Sequence, residues 1–255
     1  MLRGSRSKRR VLLTPLVLYE PWPYCGWDSQ AAGWLTQRII VPMSNRPHIE
    51  RRWPVLLALA AVVALHFALP HILTVGPNWL LGVVSAVLAS VVSVFHRRGE
   101  EERAYIGGLA LIGIVTAALV ASLVLLISNL PIHKQAPTEL LQSAASLWIS
   151  NVLVFAAWYW KLDAGGPYAR QKFKRHEAGA FYFPQMAVQA TSPAQFNDWH
   201  PHFIDYLFLS FNTSTALSPT DALILSRWAK ALMMLQSLIS LTVIVLLAAR
   251  AVNIL

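Results

Sequence analysis

The side chains best suited to chemistry are hydroxyls, amides and carboxylates near the C-terminus. They are Asp205, Asn212, Thr213, Ser214, Thr215, Ser218, Thr220 and Asp221. Oxygens of this kind replace the hydration water of a cation in a membrane pathway, or they hydrogen-bond neighbouring helices. No catalytic pair, phosphate-binding loop or metal-ligand cluster accompanies them. We therefore expect no enzyme activity, no cofactor and no metal site.

A short apolar helix over residues 203–217 must position this cluster. Its length would be about 23 Å, against a hydrocarbon core of about 30 Å. The helix therefore either crosses a thinned bilayer or re-enters the side from which it came. Asp205 lies near its start, where an acid suits the helix dipole. A long apolar run at 229–249 follows and predicts a full span.

The residues between the two helices have a second interpretation. Ser218, Pro219 and Asp221 have the order of an N-cap, a first helical residue and an acid three positions after the cap. This pattern favours an ordinary helical hairpin in which the last helix begins near Ser218.

Composition places the whole chain in a membrane. Of 255 residues, 56% are hydrophobic and 13% are charged, and the charges collect in short stretches between long apolar runs. This distribution is typical of a polytopic helical membrane protein. The formal net charge of +9 comes from basic residues beside apolar runs. It therefore indicates anionic lipid headgroups as partners and not nucleic acid.

The fold class that follows is an all-α integral membrane bundle of about six hydrophobic helices, the fifth of them short. Four spans are expected at residues 54–75, 79–95, 104–127 and 140–160. The chain then divides into a basic, poorly ordered N-terminal segment (1–53), a four-helix transmembrane region (54–160), a polar loop (161–201) and a channel-like hairpin (202–255). Because Met43 begins a compact basic leader, a translation start there is an alternative to a start at Met1.

The basic residues also predict an orientation. They are concentrated before Trp53, in the 96–103 loop and in the 161–201 loop, whereas the turn at residues 76–78 has none. Basic segments stay on the cytoplasmic side. We expect a bacterial inner (cytoplasmic) membrane protein with its N-terminus inside. Six crossings would place the C-terminus inside as well.

The stretch from Asp205 to Asp221, with the helix after it, resembles the pore region of two-transmembrane potassium channels. That family has an aromatic pore helix, a threonine-rich approach, a filter ending in an acid, and an inner helix. Thr215 stands at the filter threonine and Asp221 at the closing acid, but the filter glycines are absent, since the last glycine is Gly179. The whole chain also resembles a family of uncharacterised bacterial inner-membrane proteins.

The resemblance implies a permeation path for a monovalent cation, built by a homo-oligomer because one short helix cannot enclose a pore. The alternative is a non-conducting membrane scaffold or partner subunit. In that alternative the hydroxyl cluster only satisfies helix contacts.

Overall fold

The computed structural model describes residues 52–129, 137–173, 179–191, 199–218 and 221–252. Helical elements dominate, in this order: α1 (Trp53–Phe67), a 3-10 turn (His71–Leu73), α2 (Trp79–Arg97), α3 (Glu101–Asn129), α4 (Pro137–Leu162), a 3-10 turn (Asp163–Gly165), α5 (Gly166–Phe173), β1 (Phe181–Tyr182), α6 (Pro184–Thr191), α7 (Phe203–Thr215), β2 (Leu223–Ile224) and α8 (Arg227–Val252). Predictions about residues 1–51, including a start at Met43, lie outside these ranges.

Four helices are long and apolar enough to cross a membrane, namely α2, α3, α4 and α8. The prediction of a helical membrane protein is confirmed at this level. The predicted second, third, fourth and last spans each correspond to one of these helices.

The predicted first span is wrong in its length. A continuous helix was expected over residues 54–75, but α1 has 15 residues and ends at Phe67. Pro70 explains the end, because proline disfavours a helical residue before it and has no backbone N–H to donate. The chain instead makes a 3-10 turn, and the Thr74 hydroxyl donates to the carbonyl of His71 over 3.1 Å.

Charged residues that flank α1, α3 and α4 lie at one end of the bundle. Arg52, before α1, lies 3.5 Å from the carboxylate of Glu101 at the start of α3. The Lys161 ammonium, at the end of α4, lies 4.8 Å from the centre of the Tyr105 ring on α3. We call this the basic end. At the opposite end of α3, Asn129 contacts the carbonyl of Ile72.

Helix α4 is the centre of the bundle. It packs against α1, α3, α7 and α8. Its second half is mostly buried and includes the fully buried run Val154, Phe155, Ala156 and Ala157. By contrast, α2 packs mainly on α3 and exposes a valine-rich face. An apolar outer face of this kind suits lipid contact.

The 161–201 segment is more structured than a polar loop. It contains α5, β1 and α6, and β1 pairs antiparallel with β2, so that Phe181 lies opposite Ile224. The Phe181 ring packs edge-on against Tyr159, Tyr206 and Trp228. These aromatic contacts attach the segment to the ends of α4, α7 and α8.

The prediction that the last helix begins near Ser218 is wrong. Helix α8 begins at Arg227, and the backbone N–H of Ala229 donates to the Ser226 hydroxyl over 3.3 Å. The preceding residues form β2, so strand pairing with β1 replaces the capping that the sequence predicts at Ser218. Of that capping pattern, Pro219 and Thr220 lie outside the described residues.

Glycines on α3 allow α2 to approach closely. A methyl group at Gly107 would lie 2.8 Å from a methyl carbon of Val92 on α2, whereas one at Gly113 would meet nothing within 4 Å. Both glycines are on the same helix, so they form a matched pair.

We predict that Gly113→Ala stabilises the folded protein and that Gly107→Ala does not. Both changes add about 1 kcal/mol of helix propensity. At position 107 overpacking against Val92 costs about 1–3 kcal/mol and cancels that gain or exceeds it. Thermal unfolding in detergent should therefore give a lower midpoint for Gly107→Ala than for Gly113→Ala. Equal midpoints would contradict the close packing of α2 on α3.

Candidate functional site

A buried amide joins the three helices that surround the predicted polar cluster. The Gln236 side chain on α8 is fully buried. Its nitrogen donates to the Ser210 carbonyl (2.8 Å), the Ser210 hydroxyl (2.7 Å) and the Ser214 hydroxyl (2.7 Å), all on α7. Its oxygen accepts from the Tyr159 hydroxyl on α4. One side chain thus satisfies polar groups on two neighbouring helices.

Further hydrogen bonds extend this contact along the helices. The Ser240 hydroxyl donates to the Ser214 carbonyl over 2.6 Å and accepts from the Trp148 indole over 3.0 Å. The amide nitrogen of Asn151 donates to the Gln236 carbonyl over 3.2 Å. We call this set the Gln236 network; it comprises Trp148, Asn151, Tyr159, Ser210, Ser214, Gln236 and Ser240.

The network fixes the directions of the helices. Bonds between α7 and α8 join Ser210 to Gln236, Thr213 to Ser237 and Ser214 to Ser240, with separations of 26, 24 and 26 residues. A nearly constant separation means that the two helices run parallel. Helix α4 runs antiparallel to α7, because α7 contacts Asp163 near its start, through Tyr206, and Asn151 near its end, through Ser214.

Two consecutive helices that run parallel require the chain to return between them. Helix α7 begins at the basic end, where Tyr206 contacts Asp163. It ends at the level of Asn151, about halfway along α4. Strand β2 is again at the basic end, because it pairs with β1, next to Asp163. The chain between Thr215 and Leu223 therefore returns to the end from which α7 started. We call its described residues, 216–218 and 221–222, the return segment.

Helix α8 starts at the basic end and runs antiparallel to α4, so its last described residues lie at the opposite end of the bundle from Arg52. The expectation that both termini share one side counted residues 203–217 as a crossing. It concerns residues 1–51 and 253–255, which lie outside the described ranges.

The predicted cluster divides into inward and outward groups. The Thr213 and Ser214 side chains are buried, and Asn212 is half-buried. Thr215, Ser218 and Asp221 are exposed. The buried and the exposed members of the cluster therefore have different surroundings.

Two members of the cluster have clear local roles. The backbone N–H of His202 donates to a carboxylate oxygen of Asp205 over 2.7 Å, which caps the start of α7. The Thr215 hydroxyl donates to the Phe211 carbonyl over 3.0 Å, one turn back in its own helix. Thr220 lies outside the described residues.

The outward faces of α7 and α8 are apolar. On α7, Ile204, Phe208 and Phe211 are exposed at spacings of four and three residues, which form one face. On α8 the exposed side chains include Met234, Leu238 and Leu241. The polar groups of both helices therefore point mainly into the bundle.

Sequence reasoning missed a buried acid at the basic end. Asp163 is 1% exposed. Its carboxylate accepts from the backbone N–H of Ala180 and from the hydroxyl of Tyr206, each over 2.6 Å. The guanidinium of Arg170, also buried, donates to the carbonyls of Trp160 (2.9 Å) and Asp163 (2.8 Å). The available signal was an isolated acid directly after an apolar span, followed by two glycines.

Other chemistry finds little support in these side chains. Among the described residues, no group of three His, Cys, Asp or Glu side chains has the geometry of a metal site. Comparison with protein-family models, curated proteins and solved structures gives no match for this chain.

We predict that Gln236→Leu destabilises the protein by about 2 kcal/mol, because it leaves the partners of a buried amide without hydrogen bonds. Gln142→Leu is the matched control, since Gln142 is exposed on α4. Reversible unfolding in mixed detergent micelles measures both. A loss at position 236 no larger than at position 142 would show that the network contributes nothing to stability.

Proposed function

We propose that α7 is a re-entrant half-helix and that residues 203–252 form a permeation path for a monovalent cation in a homo-oligomer. The observation that supports the proposal is the parallel arrangement of α7 and α8, with the chain back at the basic end between them. A half-helix, a return and a full span have the layout of the pore region that the sequence resembles.

The lengths agree with re-entry. Helix α7 has 13 residues and is about 20 Å long, which is too short for a core of about 30 Å. Fully extended, the seven residues 216–222 reach about 23–25 Å. Seven extended residues are thus just long enough to cover the length of α7 in the opposite direction.

The chemistry of this region suits a cation. Thr215, Ser218 and Asp221 are exposed on or beside the return segment and carry oxygen ligands. The C-terminus of α7 points toward the middle of the bundle, where its carbonyl groups carry partial negative charge. A carbonyl ring of the potassium-channel type is not part of the proposal, because such a ring needs glycines.

The need for several copies comes from the backbone of the return segment. Ala216, Leu217 and Ser218 are exposed and follow the end of α7 without helical structure. Irregular backbone at membrane depth is tolerated only where protein covers it or where it lines water. In the described part of the chain, the side chains of these three residues remain exposed. A ring of copies would provide both, with water on the inside and a neighbouring chain on the outside.

The proposed location is the bacterial inner membrane, with the basic end and the N-terminus in the cytoplasm. Arg97 and Arg98, exposed in the turn between α2 and α3, would contact anionic headgroups. The return segment would then open to the cytoplasm, whereas potassium channels present theirs to the outside.

A second candidate is a non-conducting scaffold or partner subunit with the same fold. Two observations favour it. The hydroxyls of Thr213 and Ser214 form hydrogen bonds within the bundle. The outward face of α8 carries apolar side chains, whereas a pore lined by this helix would need polar ones. In that case the exposed return segment would contact a different protein.

Currents through purified protein in planar bilayers separate the two candidates. We expect cation-selective currents, with a lower unitary conductance for Asp221→Asn and Thr215→Ala, because both changes remove an exposed oxygen ligand. Ser90→Ala is the control, since the Ser90 hydroxyl on α2 is exposed and bonds its own helix at Ala86. Electrical silence of a folded oligomer would reject permeation and favour the scaffold.

A further inference from the structure

The buried carboxylate of Asp163 contacts the start of α7 directly and reaches the residues after the return segment through Ala180. One oxygen accepts from Tyr206, in the first turns of α7. The other accepts from the backbone N–H of Ala180, directly before β1. The carbonyl of Ala180 in turn accepts from the backbone N–H of Leu225 over 2.8 Å, directly after β2. A single acid thus connects the start of α7 with the end of the return segment.

The backbone around Asp163 is shaped to hold it there. Ala164, Gly165 and Gly166 all have positive φ, at 49°, 80° and 87°. Such a conformation is rare for alanine and is kept only where the surrounding structure enforces it. A methyl group at Gly179 would lie 3.1 Å from a carboxylate oxygen of Asp163, so the chain before β1 also fits closely around the acid.

Arg170 holds the backbone at this acid. Its guanidinium donates to the backbone carbonyl of Asp163 and lies 5.6 Å from the centre of the Tyr206 ring. The carboxylate oxygens of Asp163 accept from Ala180 and Tyr206.

We propose that Asp163 is the positioning residue of the return segment. Through Tyr206 it sets where α7 starts, and through residues 179–182 it sets where β2 ends the return. The depth of Ser218 and Asp221 in the membrane is therefore set by a residue directly after α4, which lies outside residues 203–252. The inference rests on the proposed re-entrant function for its importance, but it can be tested without any current.

The test measures how accessible the return segment is in full-length protein in lipid nanodiscs. Cys25 is replaced by serine, and Ser218→Cys provides a reporter for a charged, membrane-impermeant maleimide. Tyr206→Phe removes one hydrogen bond of Asp163 and Asp163→Asn disturbs both. We expect the labelling rate at position 218 to change by about fivefold in each, the effect of one lost hydrogen bond on a conformational equilibrium.

Three controls isolate the positioning role. Tyr105→Phe makes the same chemical change at the basic end of α3 and should leave the rate at position 218 unaltered. A second reporter, Val75→Cys in the exposed turn before α2, should label equally in all variants. In the double variant, Tyr206→Phe should add little to Asp163→Asn, because both act through one carboxylate.

The outcomes are decisive in either direction. A change confined to position 218, and less than additive in the double variant, supports the proposal even if the protein carries no current. An unchanged rate at position 218 in Tyr206→Phe overturns it, as does an equal change at positions 218 and 75. If Asp163→Asn does not fold, the comparison of Tyr206→Phe with Tyr105→Phe decides alone.

Discussion

The C-terminal half of this protein depends on the rule that polar groups inside a bilayer must find partners within the protein. Gln236 is the residue through which the rule acts most directly. Its amide satisfies a carbonyl and two hydroxyls on α7 and a phenol on α4. These bonds hold α7 against α8. The nearly constant sequence separation of the bonded pairs shows that the two helices run parallel. The return of the chain to the basic end follows from this direction.

The same rule divides the polar residues into two kinds of role. Ser210 and Ser214 are buried and bonded, so they act as contacts between helices. Thr215, Ser218 and Asp221 remain exposed on the surface. A cluster that is continuous in the sequence is therefore split by the helix, because successive residues point in different directions.

The sequence predicted much of the fold, because long apolar runs and the residues at their ends leave few alternatives. The bounds of α2, α3, α4 and α8 follow from where polar residues interrupt the runs. The first span was overestimated because hydropathy continues through Pro70 while the helix does not. The start of α8 was misplaced because a local capping pattern at Ser218 was outweighed by strand pairing with residues 181–182, which are distant in sequence.

The candidate site was harder to predict, for the same physical reason. Which hydroxyls are buried depends on Gln236 and Tyr159, and nothing local in the sequence pairs these two residues. Asp163 looked like an ordinary loop acid, and only the folded chain shows it between Ala180 and Tyr206. Length left two alternatives for residues 203–217, a thinned crossing or re-entry, and the contacts between helices support the proposed re-entry.

The central claim is that α7 and β2 begin and end at the same side of the membrane. Single cysteines at Ile204 and Leu223, both more than 60% exposed, test it with an impermeant reagent applied to each side of oriented vesicles, with Cys25 replaced. Both positions should be labelled from one side, and Val75, near the opposite end, from the other. Labelling of Leu223 from the side that labels Val75 would mean that α7 crosses the membrane and would contradict the re-entrant account.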